Sequence, residues 1–218
     1  MLSQTGHCLS PSAAAGWDIS LVEAADAALA AHTPPIARMS AIRSLLSERA
    51  GMDVCRRGWP ADVLGWLLAA RPGPFAWALL QLTGEIPRVE PIGGSEAERR
   101  LSETEATALG VVDEDSLWCW ERRGVLRVGA TIASEVHLRV VPARIGGWDG
   151  EELALLKMGV PCDEVVPGLV RAGRQGKVSW PADPAVLGTA VLRTAPGTAF
   201  GFTEERVTAG LVRRLTEV

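Results

Sequence analysis

Tyrosine is absent from this 218-residue chain, and phenylalanine and histidine occur only three times each. His7, His32 and His137 are too scattered for an HExxH pair or a histidine cluster, so no metal is expected. Cys8, Cys55, Cys119 and Cys162 form no CxxC pair. That excludes a zinc ribbon or a thioredoxin-type redox centre and leaves four reduced, partly buried thiols. A long hydrophobic run is also missing: the best stretch, 63–70, is far short of a membrane span. The first seventeen residues lack a basic segment followed by an apolar one, so a cytoplasmic protein without a membrane partner is expected. Neither GxSxG nor GxGxxG occurs. Gly176-Lys177 fails as a phosphate loop because Arg171 stands at the leading glycine position and Val178 follows the lysine. There is no excess of positive charge either. Twenty-two basic against twenty-six acidic residues leave −4, the wrong sign for binding nucleic acid over the whole surface.

What is present is an ordinary globular balance, 47% hydrophobic and 22% charged, at a length that suits one large domain. The first part reads as helical. Asp18 precedes Val22, Ala25 and Leu29 at helical spacing, and Thr33-Pro34-Pro35 stops the run. Met39, Ile42, Leu45 and Leu46 predict a second helix ending at Gly51, and Val63, Leu64, Leu67 and Leu68 a third, broken by Arg71-Pro72-Gly73-Pro74. A fourth begins near Pro74 and ends near Gly84. Beyond it, Ile86, Val89 and Ile92 suggest an irregular strand, and the polar run from Ser95 to Thr107 a solvated loop or surface helix. Leu117–Val128 and Ile132–Val141 flank Gly129-Ala130 as an antiparallel hairpin. Asp149 and Glu152 resemble a capping box for a short helix closed by Gly159. Gly188–Thr194 and Thr198–Val207 are two more strand candidates. Helices first and strands later predict α+β with a mainly antiparallel sheet.

Charges inside apolar strands need a reason. Trp120-Glu121-Arg122-Arg123-Gly124 and Phe202-Thr203-Glu204-Glu205-Arg206 are such places. Because strand side chains alternate, only one of Arg122 and Arg123, and one of Glu204 and Glu205, reaches a given face. A buried guanidinium opposite a carboxyl could grip a small carboxylate and supply an acid beside it; the plainer reading is ion pairs on a solvated face.

The segment 116–142, ending Val140-Val141-Pro142 and followed by Glu152-Leu-Ala-Leu-Leu-Lys-Met-Gly-Val-Pro161, resembles the chorismate lyase family, with its UTRA-like fold, as a divergent member. Gly65-Trp66-Leu67-Leu68 is similar to the helix end before that family's substrate flap, and 197–204 to its last strand. The resemblance runs from about Trp59 to Val207. It implies one antiparallel sheet of about six strands with helices packed on one side, enclosing a buried ligand pocket. Residues 1–55 would then be an N-terminal helical extension and 56–218 the lyase-like domain. The implied activity is that of a cofactor-free carbon–oxygen lyase, eliminating pyruvate from chorismate or a close analogue to leave 4-hydroxybenzoate or a related aromatic acid.

The same resemblance implies Glu204 as the catalytic acid/base and Arg123 as the residue holding the ring carboxylate. Counting back from Pro142 gives Arg123, whereas matching the Trp-x-Arg element gives Arg122. Arg122, Arg193, Cys162 and Gly73 are the further substrate-binding candidates. The chain departs from the family at the flap, 71–74, at Pro161-Cys162-Asp163, and at Thr189-Ala190, where paired arginines are expected. The alternative function is a non-catalytic aromatic-acid-binding protein of the same fold, which also serves as the effector domain of bacterial transcription regulators. Residues 1–58 carry five arginines against five acidic residues, too neutral for the basic DNA-binding domain of such regulators. The expected partner is therefore a small molecule, with no nucleic acid, and the expected state a monomer or homodimer.

Overall fold

Helices form in the first part of the chain wherever apolar residues recur every three or four positions. The computed structural model describes residues 19–31, 33–50, 59–70, 75–160, 162–166, 175–179, 185–194 and 197–216. In α1 (Ile19–Ala30) the inward stripe is Leu21, Ala25 and Leu29, and in α2 (Pro35–Ala50) it is Met39, Ile42 and Leu46. Helix α3 (Trp59–Ala70) buries Val63, Leu64, Trp66, Leu67 and Leu68, which lie nearly all round its axis, so it is enclosed by its neighbours. Helix α4 (Phe75–Thr83) ends at Gly84, whose φ of 72° suits a residue without Cβ. The expected stop at Gly51 lies outside the described residues.

The sheet has seven strands among the described residues: β1 (Arg88–Pro91), β2 (Ala97–Arg100), β3 (Trp118–Val128), β4 (Thr131–Val140), β5 (Gln175–Ser179), β6 (Val186–Arg193) and β7 (Ala199–Val207). Their order is β1-β3-β4-β7-β6-β5, all pairs antiparallel, with β2 also on β3. β1 pairs with residues 124–127 of β3 and β2 with 118–121, so the two share one edge and the sheet is six strands wide. Between them the edge is broken. There the Ser95 hydroxyl donates to the Arg123 carbonyl at 3.0 Å and accepts from the Arg123 N–H at 3.2 Å.

Helices α5 (Glu103–Leu109), α6 (Glu151–Lys157), α7 (Cys162–Val165) and α8 (Ala209–Thr216) complete the fold. This is the expected α+β architecture with an antiparallel sheet. Even-numbered residues of β3 from Trp120 onward and of β6, and odd-numbered residues of β7 from Gly201 onward, are buried, which defines an inner face. α1–α4 and α8 pack there in one cluster with Leu126, Val128, Val186 and Val207. α6 and α7 pack in a second, with Trp120, Leu138, Val140, Leu192 and Phe200. Phe200 joins that cluster because the β6–β7 register skips it, pairing Leu192 with Gly201 and Arg193 with Ala199.

One helix lies on the other face. The polar run read as a loop or surface helix contains β2 and α5, and α5 carries the reciprocal capping box: Ser102 Oγ accepts from the Glu105 N–H, and Glu105 accepts from the Ser102 N–H at 2.9 Å. Leu101 and Leu109 then pack on Cys119, Val141 and Ala199. The capping box expected at Asp149 is corrected: the N-cap of α6 is Gly150, with no side-chain cap bond.

Candidate functional site

The inner face changes character between its two apolar clusters. Arg122, Ser134, Thr203 and Glu205 are buried in a polar band there, with Gly124 on β3 and Gly188 on β6 in line with Glu205 through the pairs Gly124–Val136, Val136–Glu205 and Gly188–Glu205. An ideal Cβ on Gly188 would lie 2.3 Å from Leu68 Cδ2, so the glycine lets α3 rest on the sheet beside the band. Glu205 accepts from the Ser134 hydroxyl at 2.9 Å.

Arg122 is 5% exposed. Its guanidinium donates through Nη1 to the Leu156 carbonyl and, at 3.3 Å, to that of Lys157, where α6 ends. It also stands over the Trp120 ring, 5.3 Å from the centroid. No carboxylate of the described residues is within ion-pair distance of it. Burial pushes its pKa down, partly offset by the charge of Glu96. The side chain is thus a desolvated cation solvated by carbonyl dipoles and a π face, the setting in which an incoming anion gains most.

The outer face holds the other members of each pair. Arg123, His137, Glu204 and Thr189 are in register across β3, β4, β7 and β6. Ile92, Arg123, Gly124, Glu135, Val136, His137, Glu204 and Arg206 line a recess of about 120 Å³. Glu204 lies 3.6 Å from Arg206.

Toward α5 the charges interlock. Glu105 accepts from Arg99 at 2.7 Å and 2.9 Å and from Arg139 at 2.7 Å; Arg99 also donates to Glu121 at 2.9 Å, and His137 Nε2 is 3.3 Å from Glu121. The Arg99 bond holds the Glu105 carboxyl well below its ordinary range, against the effect of burial. In Glu121 burial raises the pKa, but Arg99 and His137 together bring it below the ordinary value. Burial, helped by the Arg139 and Arg123 charges, lowers His137 despite Glu121. Burial pushes the Cys119 thiol up, so it is not a poised nucleophile.

The structure therefore separates the residues singled out in the sequence. Arg123 and Glu204 share the outer face; Arg122 shares the inner face with Glu205, and Cys162 packs against the cluster that contains Trp120. Arg193 lies at the β6–β7 turn, donating to the Gly197 carbonyl at 3.0 Å. Gly73 and the rest of the expected flap, 71–74, lie outside the described residues. Sequence reasoning passed over Glu205, Ser134 and Thr203. The available signal was alternation: once Arg122 is inward, the pairs Arg122–Leu138 and Leu138–Thr203 put Thr203, and hence Glu205, inward too. Among the described residues no group of three or more His, Cys, Asp or Glu could hold a metal ion, and no helix is long and apolar enough to cross a membrane.

No protein-family model matches the sequence, and no curated protein matches it. Solved structures do match in fold. The effector domain of PhnF from Mycobacterium smegmatis is 12% identical over 65% of this chain and 91% of its own, with a TM-score of 0.40. The possible transcriptional regulator YydK from Bacillus subtilis is 8% identical over 61% of this chain and 63% of its own, at 0.43. A GntR-family transcriptional regulator from Bacillus cereus is 14% identical over 56% and 92%, at 0.38. At these values the likeness concerns the arrangement of sheet and helices alone.

Each of these three is a regulator or a regulator's effector domain, and none is a lyase. The carbon–oxygen lyase expected from the sequence has no counterpart among these matches and is withdrawn. Glu204, the expected acid/base, is paired with Arg206 beside the outer recess.

Proposed function

We propose that this chain is a binding module for a small aromatic carboxylate, held at the inner face by Arg122 and not chemically converted. The observation that carries this reading is the state of Arg122, a guanidinium 5% exposed, fixed by two carbonyls and an indole ring, with no carboxylate beside it among the described residues. A buried charge without a counter-ion costs several kcal/mol, roughly, and persists where a ligand supplies the missing partner. Trp120 gives the site an aromatic wall. Ser134, Thr203 and Glu205 supply hydrogen-bonding groups further along the same band. The even charge balance of residues 1–58 supports a module that does not itself contact nucleic acid.

Thermal unfolding with benzoate, 4-hydroxybenzoate and neutral benzamide tests the proposal. A carboxylate at a hundred times its Kd is expected to raise Tm by about 5–10 °C, with benzamide inert. Arg122→Lys, which keeps the charge but loses the planar fork, is expected to weaken the effect, and Arg122→Met to abolish it. Equal stabilisation of wild type and Arg122→Met, no response to any carboxylate, or release of pyruvate from chorismate would each overturn it.

A further inference from the structure

On the outer face, away from Arg122, we infer a second site, one that takes a small zwitterion with its ammonium and carboxylate a few bonds apart, the size of a simple amino acid. The recess is lined by Arg123 and Arg206, by Glu135 and Glu204, and by His137, with Ile92 as an apolar rim that is 44% exposed. Three of these groups are already used. Glu204 and Arg206 lie 3.6 Å apart, and His137 is turned to Glu121 at 3.3 Å.

The other two are not. Among the described residues neither the Arg123 guanidinium nor the Glu135 carboxylate has an ion-pair partner within 4 Å, although both border the same recess. In the register Arg123 is opposite His137, and Glu135 is opposite Val125 on β3 and Arg206 on β7, so Arg123 and Glu135 are diagonal neighbours, about 7–8 Å apart along the backbone lattice, and their side chains do not pair across it. A free cation and a free anion thus flank a hollow instead of closing on each other. A molecule with both charges satisfies both walls at once, its carboxylate on Arg123 and its ammonium on Glu135. Acetate or a simple amine would satisfy one wall and leave the opposite charge facing it.

Size narrows the class further. The recess, about 120 Å³, is somewhat smaller than the roughly 150 Å³ cavity that admits the six carbons of benzene. Glycine, alanine and β-alanine are the right size, and a larger amino acid would have to direct its side chain past Ile92 to solvent.

The inference is independent of the Arg122 site, and either can fail alone. Equilibrium dialysis of the full chain with radiolabelled glycine, alanine and β-alanine, against acetate and ethylamine, tests it. Saturable one-site uptake is expected for at least one of the three zwitterions, with acetate and ethylamine bound at least about tenfold more weakly. Arg123→Gln and Glu135→Gln are each expected to lower that affinity about tenfold, and Arg100→Gln, which removes an exposed arginine paired with Glu114, to leave it unchanged. Absence of saturable uptake of all three, equal binding of acetate or ethylamine, or equal weakening by Arg100→Gln would overturn the site.

Discussion

On the inner face of the sheet a buried guanidinium stands without a counter-ion, whereas on the outer face Glu105 alone receives Arg99, Arg139 and the Ser102 N–H. Both arrangements place charge on β-strands, and they differ in whether it is balanced within the protein. The outer network closes on itself and fastens α5 to β2, β3 and β4. The inner band leaves a cation coordinated by dipoles. On the proposed reading, incomplete neutralisation marks the candidate site better than density of charge does.

If that contrast holds, removing a charge has opposite consequences on the two faces. Glu105→Ala is expected to cost about 2–3 kcal/mol in urea unfolding, because it opens the capping box and leaves Arg99 and Arg139 without their shared acceptor. Arg122→Met is expected to shift the Tm of the unliganded protein by less than about 3 °C, since relief of a desolvated charge offsets the lost carbonyl bonds. A large loss of stability there would make Arg122 a structural residue like Glu105 and erase the distinction.

Smaller effects sharpen the comparison. Ser102→Ala is expected to cost about 1 kcal/mol, whereas Asp149→Ala, at the position where a cap was expected and none is formed, should be close to neutral. The outer network also has an acid limit. His137 is depressed in the fold, so the unfolded chain takes up a proton first; stability is flat above about pH 6.5 and falls below it. That slope should not exceed about 1.4 kcal/mol per pH unit, one proton's worth, and should flatten in His137→Gln. Glu105, also depressed, adds a second loss that begins near its ordinary value of 4.5 and continues downward. Urea titrations at stepped pH separate the two.

The helices and the central hairpin were legible because their apolar residues repeat with period 3.6 or 2 and glycine or proline marks their ends. α5 was harder to see, although Ser102-Glu103-Thr104-Glu105 carries the capping signature, because only Leu101 and Leu109 anchor it to the sheet and the rest of its run is polar. β5 is hard to read for another reason: Gln175-Gly176-Lys177-Val178-Ser179 has one apolar residue to suggest a strand. α8 escaped notice because it rests on two buried leucines, Leu211 and Leu215, four apart. The candidate site was half legible. Charged pairs in β3 and β7 drew attention to these strands, but which member faces inward depends on register, and a one-residue slip exchanges Arg122 for Arg123 and Glu205 for Glu204. Register in turn depends on long-range pairing that local composition does not encode.

The broken edge along β3 also bears on how copies of this protein meet in concentrated solution. A long uninterrupted border strand is a template on which another chain can extend the sheet. Here that border consists of two four-residue pieces, one ending in Pro91, separated by Gly93 and Gly94, with exposed Arg88, Glu90, Glu98 and Arg100 along them. An incoming strand finds neither length nor neutrality there, so this border resists the stacking that leads to fibres.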